Sequence, residues 1–217
     1  MVNGDTMRVN TLSLFPTPVI QTRFECHDKY VNKFGNWGEI DRKPKAWHVS
    51  LNTSFPEIRP DDPYVSEEIV NNLKNDIMFQ VKKVNNDRGI STNLEYQCFW
   101  YNAYYTKQGQ EPHNHLSQKG EDPLWSGVYF AKNCFPGSFT FVRTEYSHRS
   151  QQWFDYQSTK MRSYYDEFYP TMFGDGDLVL FPPYLHHAVQ VDERNADLQR
   201  LTFSFNIRLT KNENSGQ

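Results

Sequence analysis

Cysteine is scarce in this chain of 217 residues: only Cys26, Cys98 and Cys134 are present, and no two of them form a C-x-x-C pair. An odd, scattered set speaks against a disulfide framework and for a reducing compartment. Excess basic charge is missing too. The formal net charge is −3, so there is no general basic footprint for nucleic acid, and a nucleic-acid partner is disfavoured. The opening segment MVNGDTMRVN has no apolar signal core, and no apolar run approaches membrane-spanning length. Internal repeats and low-complexity tracts are absent as well. These absences predict a soluble, intracellular protein with no membrane partner, and the length is that of one ordinary domain.

Aromatic residues are plentiful, at 16% of the chain with 13 Tyr and 16 Phe. Such residues suit pleated, half-buried surfaces, so a β-rich core is the first reading and aromatic-lined pockets the second. LSLFPTPVIQTRF (12–24) reads as an opening strand interrupted by two prolines, hence an edge. The next forty residues look irregular, with room for one short helix. SEEIVNNLKNDIMFQVKKVNND (66–87) starts as a helix should. Ser66 can cap it, Glu67 and Glu68 suit the first turn, and Ile69, Leu73, Ile77 and Val81 form an apolar stripe able to brace a sheet.

After Gly89 the texture becomes that of strands: 93–106, 124–131, 138–142, 177–182, 187–191 and 200–209. In RLTFSFNIRL, Leu201, Phe203, Phe205, Ile207 and Leu209 share one face. Arg200, Thr202, Ser204, Asn206 and Arg208 share the other. The polar, Tyr-rich stretch 143–173 is long for a plain connection and reads as a lid or a segment with structure of its own. The sequence therefore predicts a single domain over 1–210. Residues 1–90 form helical or irregular support, residues 91–210 form an all-β core, and 211–217 is a disordered tail. Sandwich, jelly roll and barrel all remain open.

Two of the seven histidines, His113 and His115, lie one residue apart in EPHNHLSQKG. On a strand, residues i and i+2 point to the same face with Cα atoms about 6.6 Å apart, so two imidazoles can share one metal. A third ligand must come from another strand, and His187 in FPPYLHHAV opens one. Three protein ligands on one side leave positions opposite for oxygen and an organic ligand. Arg200, with Thr202 on the same strand face, suits a carboxylate. Taken singly, each feature has a plain structural reading: H-x-H pairs occur on surfaces, and an arginine on a polar strand face is usually solvated.

In order along the chain, LFPTPV, W-x-N-x-Y, H-N-H, SGVYF, PGSFTF, GDLVLFPPYLHHAV and RLTFSFNI resemble the 2-oxoglutarate- and Fe(II)-dependent oxygenases. More narrowly, they resemble a branch common in marine phages and bacteria. The resemblance implies an α+β, mostly β chain: a double-stranded β-helix (jelly roll) with bracing N-terminal helices. It implies a dioxygenase that hydroxylates a prolyl, other amino-acid, peptide or small-molecule substrate with Fe(II), 2-oxoglutarate and O2, releasing succinate and CO2. The location would be cytoplasmic, in a host cytoplasm if the chain is viral. By position, His113, His115 and His187 (rather than His186) match the metal ligands. Arg200 and Thr202 match the grip on the cosubstrate's far carboxylate. Asn102 and Tyr104 match residues that contact the cosubstrate.

One departure stands out. His115 occupies a place where many members carry a carboxylate, which leaves Asp122 or Glu121 as alternative ligands. Trp125, Tyr129, Arg143 and Trp153 are candidates for contact with substrate beneath 143–173, each with packing as the plainer role. His148 and His186 are unassigned, with solvation or support of the site as their readings. The oligomeric state is open, with the aromatic N-terminal region as a conceivable dimer surface. Three rivals remain. A cupin-type metalloenzyme usually carries a Glu soon after H-x-H, and here LSQKG follows instead. A non-catalytic jelly-roll binding module would need neither metal nor Arg200. A zinc hydrolase would leave Arg200 unexplained.

Overall fold

The computed structural model describes residues 17–34, 42–45, 47, 50–105, 107–116, 122–133, 137–142, 168–191 and 199–210. Arg143, His148, Trp153 and Glu121, most of 143–173, and the expected tail 211–217 lie outside the described residues.

Among the described residues ten strands form two antiparallel sheets. They are β1 (Ile20–Arg23), β2 (Asn52–Thr53), β3 (Leu94–Tyr104), β4 (Gln110–His113), β5 (Trp125–Asn133), β6 (Phe139–Val142), β7 (Phe168–Pro170), β8 (Asp177–Phe181), β9 (His187–Val189) and β10 (Arg200–Leu209). The major sheet runs β1-β8-β5-β10-β3-β2 and the minor sheet β4-β9-β6-β7. This is a mostly β double-stranded β-helix. Helix α1 is a single turn (His27–Tyr30), and α2 (Glu67–Asp87) is the one long helix among the described residues. No described helix is long and apolar enough to cross a membrane.

Helix α2 begins where its cap predicts, with the Ser66 hydroxyl accepting from the Ile69 amide at 3.4 Å. Its buried stripe is Val70, Leu73, Ile77 and Val81, with Ile69 only half-buried beside it. Polar ties fix how the helix lies. The Trp125 indole donates to Asn85 Oδ1 (3.1 Å), and the Tyr96 hydroxyl donates to the Lys74 carbonyl (2.8 Å). Gln80 accepts from the Glu25 amide and donates to the Arg23 carbonyl.

The N-terminal part is more than support. Strand β1 closes the major sheet by pairing with β8, and β2 closes the other edge against β3. Pro18, just before β1, fits its edge position, where one side of the strand needs no partner.

Strand β10 is central, paired with β3 on one side and β5 on the other. Its apolar set, Leu201, Phe203, Phe205 and Ile207, faces the core under α2. A Cβ at Gly127, opposite Phe205, would overlap the Phe205 ring, so the close approach of β5 to β10 requires glycine there. A second apolar cluster, including Val128, Phe130, Phe139, Val179, Phe181 and Val189, fills the space between the sheets. Trp125 and Tyr129 belong to the core under α2, so among the two described candidates for substrate contact the packing role is the observed one.

Candidate metal centre

The polar face of β10 is buried, not solvated. Arg200 is 1% exposed, Thr202 2% and Ser204 5%. Antiparallel pairing sets Arg200 opposite Tyr104, Thr202 opposite Asn102, Ser204 opposite Trp100 and Asn206 opposite Cys98. The four residues predicted for the cosubstrate are therefore two adjacent cross-strand pairs, and they line one narrow cavity together with His113, His115 and His187. Spacing in the sequence (102 and 104, 200 and 202) becomes contact because the two strands run in opposite directions.

His113 on β4 and His187 on β9 face each other in register. The minor sheet reaches this register through a bulge: between Gln110 and His113 the chain gains one residue on its partner strand. Bulges re-aim side chains. This one puts Gln110 and His113, three apart in sequence, into the same cavity. His115 lies just past the end of β4, not on it as the spacing argument assumed. Its amide donates to the Pro183 carbonyl (2.8 Å), which holds it beside the β8–β9 turn. One candidate ligand atom from each of the three histidines lies within 4.8 Å of the other two.

All three rings are oriented alike. Nδ1 of His113 meets the Glu111 carbonyl (2.8 Å), Nδ1 of His187 meets the Leu185 carbonyl (3.1 Å), and Nδ1 of His115 meets Asn206 Oδ1 (2.7 Å). These partners only accept, so each Nδ1 carries the proton and each Nε2 keeps a lone pair. Burial lowers all three pKa values. His115 falls to about 4, helped by His113, and His187 falls well below the ordinary value. Three neutral imidazoles with free Nε2 lone pairs fit a divalent transition metal. His186 points away, with Nε2 3.1 Å from Asn114 Nδ2, so of the HH pair it is His187 that joins the cluster. Asp122 is exposed and outside the cluster.

Among the described residues Arg200 has one hydrogen-bond partner, the Ser138 hydroxyl at 3.1 Å, and its buried Nε has none. No described carboxylate pairs with it. Aromatic rings surround the guanidinium instead: Tyr104 at 5.1 Å, Phe130 at 5.3 Å and Phe139 at 5.8 Å. Burial pulls its pKa down to about 10. A desolvated cation with unmet donors is costly unless an anion joins it, so the site fits a carboxylate. The Thr202 hydroxyl makes one long bond, 3.4 Å to the Asn102 carbonyl. Asn102 meets the Ser204 hydroxyl at 3.2 Å, and the Tyr104 hydroxyl donates to Gln110 Oε1 at 2.9 Å.

The family model described as "Putative 2OG-Fe(II) oxygenase" matches residues 98–206, half of the chain, from β3 to β10. The chain belongs to that family and is an Fe(II)- and 2-oxoglutarate-dependent dioxygenase. No curated protein matches it in sequence. HygX from Streptomyces hygroscopicus, solved with nickel and 2-oxoglutarate, has a similar fold: TM-score 0.54 at 12% identity, covering 90% of this chain and 84% of that one. A Pseudomonas putida prolyl-4-hydroxylase aligns with TM-score 0.48 at 14% identity, over 89% and 94% of the two chains. The viral collagen prolyl hydroxylase of Paramecium Bursaria Chlorella virus-1 aligns with TM-score 0.49 at 12% identity, over 88% and 96%.

Sequence reasoning missed Ser138, Gln110 and the anchoring role of Asn206. Asn206 was legible in principle, as the fourth member of the alternating polar row on β10.

Proposed function

We propose that His113, His115 and His187 hold Fe(II) and that Arg200 holds the far carboxylate of 2-oxoglutarate, in an enzyme that hydroxylates an amino-acid, peptide or small-molecule substrate. The observation that carries this reading is the buried Arg200, which meets no carboxylate among the described residues and lies on the same sheet face as the anchor of His115. Bound there, Fe(II) with 2-oxoglutarate supplies the oxidation that puts one oxygen atom of O2 into a substrate C–H bond, as 2-oxoglutarate becomes succinate and CO2. The chain's own part is to bind, orient and keep water out. Arg200 and Ser138 meet the carboxylate, and the long Thr202 bond leaves that hydroxyl able to turn toward it. Asn102 and Tyr104 shape the pocket, with the Tyr104 ring bracing the guanidinium. Val128, Phe139 and Val189 close the walls.

Three imidazoles leave the 2+ charge of the metal uncompensated, so the dianionic cosubstrate supplies the balancing charge. Residues 1–210 act as one domain in this reading. The sparse cysteines, with no C-x-x-C pair among them, favour a cytoplasmic setting.

The test is calorimetry of 2-oxoglutarate binding under anaerobic conditions, with Mn(II) as a redox-quiet substitute for Fe(II). Wild type binds in a metal-dependent way, and both His187→Ala and Arg200→Ala bind weakly or not at all. Metal binding without 2-oxoglutarate binding would favour the cupin or hydrolase chemistry instead. Binding of neither would make the histidines structural.

A further inference from the structure

A second, wider cavity of about 460 Å³ opens on the other side of the histidines. His113 and His115 line both cavities, so the proposed metal site is the wall between them. The polar row of β10 passes from one to the other: Arg200, Thr202 and Ser204 line the inner cavity, and Asn206 lines the outer one.

The outer cavity is built unlike the inner one. Trp47, Phe55, Trp100 and Leu116 are among its apolar walls. Phe55 packs on both indoles, with its ring centroid 5.4 Å from that of Trp47 and 5.2 Å from that of Trp100. The Trp100 ring in turn lies 5.6 Å from His115. The aromatic surface thus runs without a break from the rim to the proposed metal site. At the rim Phe55 is 40% exposed and Leu116 46%. Ordinary folding leaves few large apolar groups open around a concavity, and such a cavity is the usual form of a small-ligand site.

Charge narrows the class of ligand. Among the described residues the lining holds one charged side chain, Glu111, and no cation. The basic residues Arg42, Lys43 and Arg59 line a separate pocket behind Phe55 and Pro56. With the metal's charge balanced by 2-oxoglutarate, an anionic group in the outer cavity would meet aromatic faces and a carboxylate, both unfavourable. An alkylammonium group would meet two partners suited to it, since ring faces attract cations and a carboxylate pairs with them.

We infer that this cavity is the substrate site and that it takes an alkylammonium-bearing substrate, whose carbon chain lies along Trp47, Phe55 and Trp100 with its cation near Glu111. The inference rests on the proposed placement of Fe(II) on His113, His115 and His187, since that placement puts the substrate's C–H bonds beside the oxidant.

The test is saturation-transfer NMR of the wild-type chain with three probes of equal length: hexylammonium, hexanol and hexanoate. Hexylammonium binds tightest, by about tenfold or more over hexanoate. Trp47→Ala and Glu111→Gln each lose most of that preference, whereas Phe79→Ala on the exposed face of α2 keeps it. Should Trp47→Ala fail to fold, Phe55→Ser at the open rim replaces it. Hexanoate binding as well as hexylammonium, or unchanged binding in the wall variants, overturns the inference. A further arm compares hexylammonium with Nα-acetyl-lysine methylamide. The tighter of the two assigns the ammonium to a free amine or to a polypeptide side chain, and either result sustains the class. The calorimetric 2-oxoglutarate titration is run separately on wild type, so a failed metal or cosubstrate site is distinguished from a failed substrate site.

Discussion

From Arg200 to Phe205 the two faces of β10 are both buried but do opposite jobs. On one, Leu201, Phe203, Phe205 and Ile207 fill the core beneath α2. On the other, Arg200, Thr202, Ser204 and Asn206 line the site cavities. The difference lies in satisfaction, not burial. The apolar face is complete as it stands. The polar face has capacity to spare: an unbonded guanidinium Nε and a threonine hydroxyl with one long bond. A protein interior tolerates such groups poorly unless a ligand completes them. One strand therefore separates stability from chemistry along its own pleat.

That division can be broken by substitution, and the largest effect is expected on the apolar face. Phe203→Ala removes a fully buried ring stacked near Phe99 and Tyr129. It should cost about 3–5 kcal/mol and lower the melting temperature by roughly 10 °C in a thermal melt. The fraction that remains folded should bind Mn(II) as wild type does. Next comes Arg200→Met, which replaces a lone buried cation by an apolar side chain of similar reach. Metal-free stability should hold or rise. Affinity for 2-oxoglutarate should drop by about 2–3 kcal/mol, the worth of hydrogen bonds to a charged group. A melting temperature that falls with it would deny that the polar face is dispensable to folding.

Asn206→Leu is a smaller probe. It removes the acceptor that orients His115, and Mn(II) affinity in a titration should weaken about tenfold. Smallest is the acid response of the metal-free protein. The unfolded chain's histidines take up protons near pH 6.5, but burial holds the folded ones neutral, His115 down to about 4. The unfolded state therefore binds more protons in that window, so stability falls as pH drops from about 6.5 toward 4 and is unaffected by these groups above it. Melts of wild type and His115→Gln across this range should show the shallower fall in the variant.

Much of this was legible beforehand because it rests on period and spacing. The alternation in 200–209 set the faces of β10, and the cap and stripe of 66–87 set α2. The H-x-H pair and a distant histidine gave the residues that the structure gathers into one cluster. Other parts were hidden for physical reasons. The bulge before His113 depends on pairing with β9, so nothing local announces it. Whether the Arg200 face meets water or a cavity depends on the second sheet, which the β10 sequence cannot see. The outer cavity draws on residues from 47 to 206, and its wall residues Trp47 and Phe55 come from a stretch that looks merely irregular.

Strand β10 also acts as a gauge. Arg200 and Asn206 lie six residues apart on one strand that is hydrogen-bonded along both edges, so the two neighbouring strands hold their relative positions. With the cation held on this strand and His115 steadied from the same strand, the gap between the guanidinium and the three histidines is held as well, and that gap measures the length of whatever diacid bridges it. A keto diacid one carbon shorter or longer than 2-oxoglutarate can reach the guanidinium or chelate the metal, but not both at once. Competition by oxaloacetate and 2-oxoadipate in the calorimeter would read that selectivity directly, and equal affinity for all three would mean that the strand does not set the length.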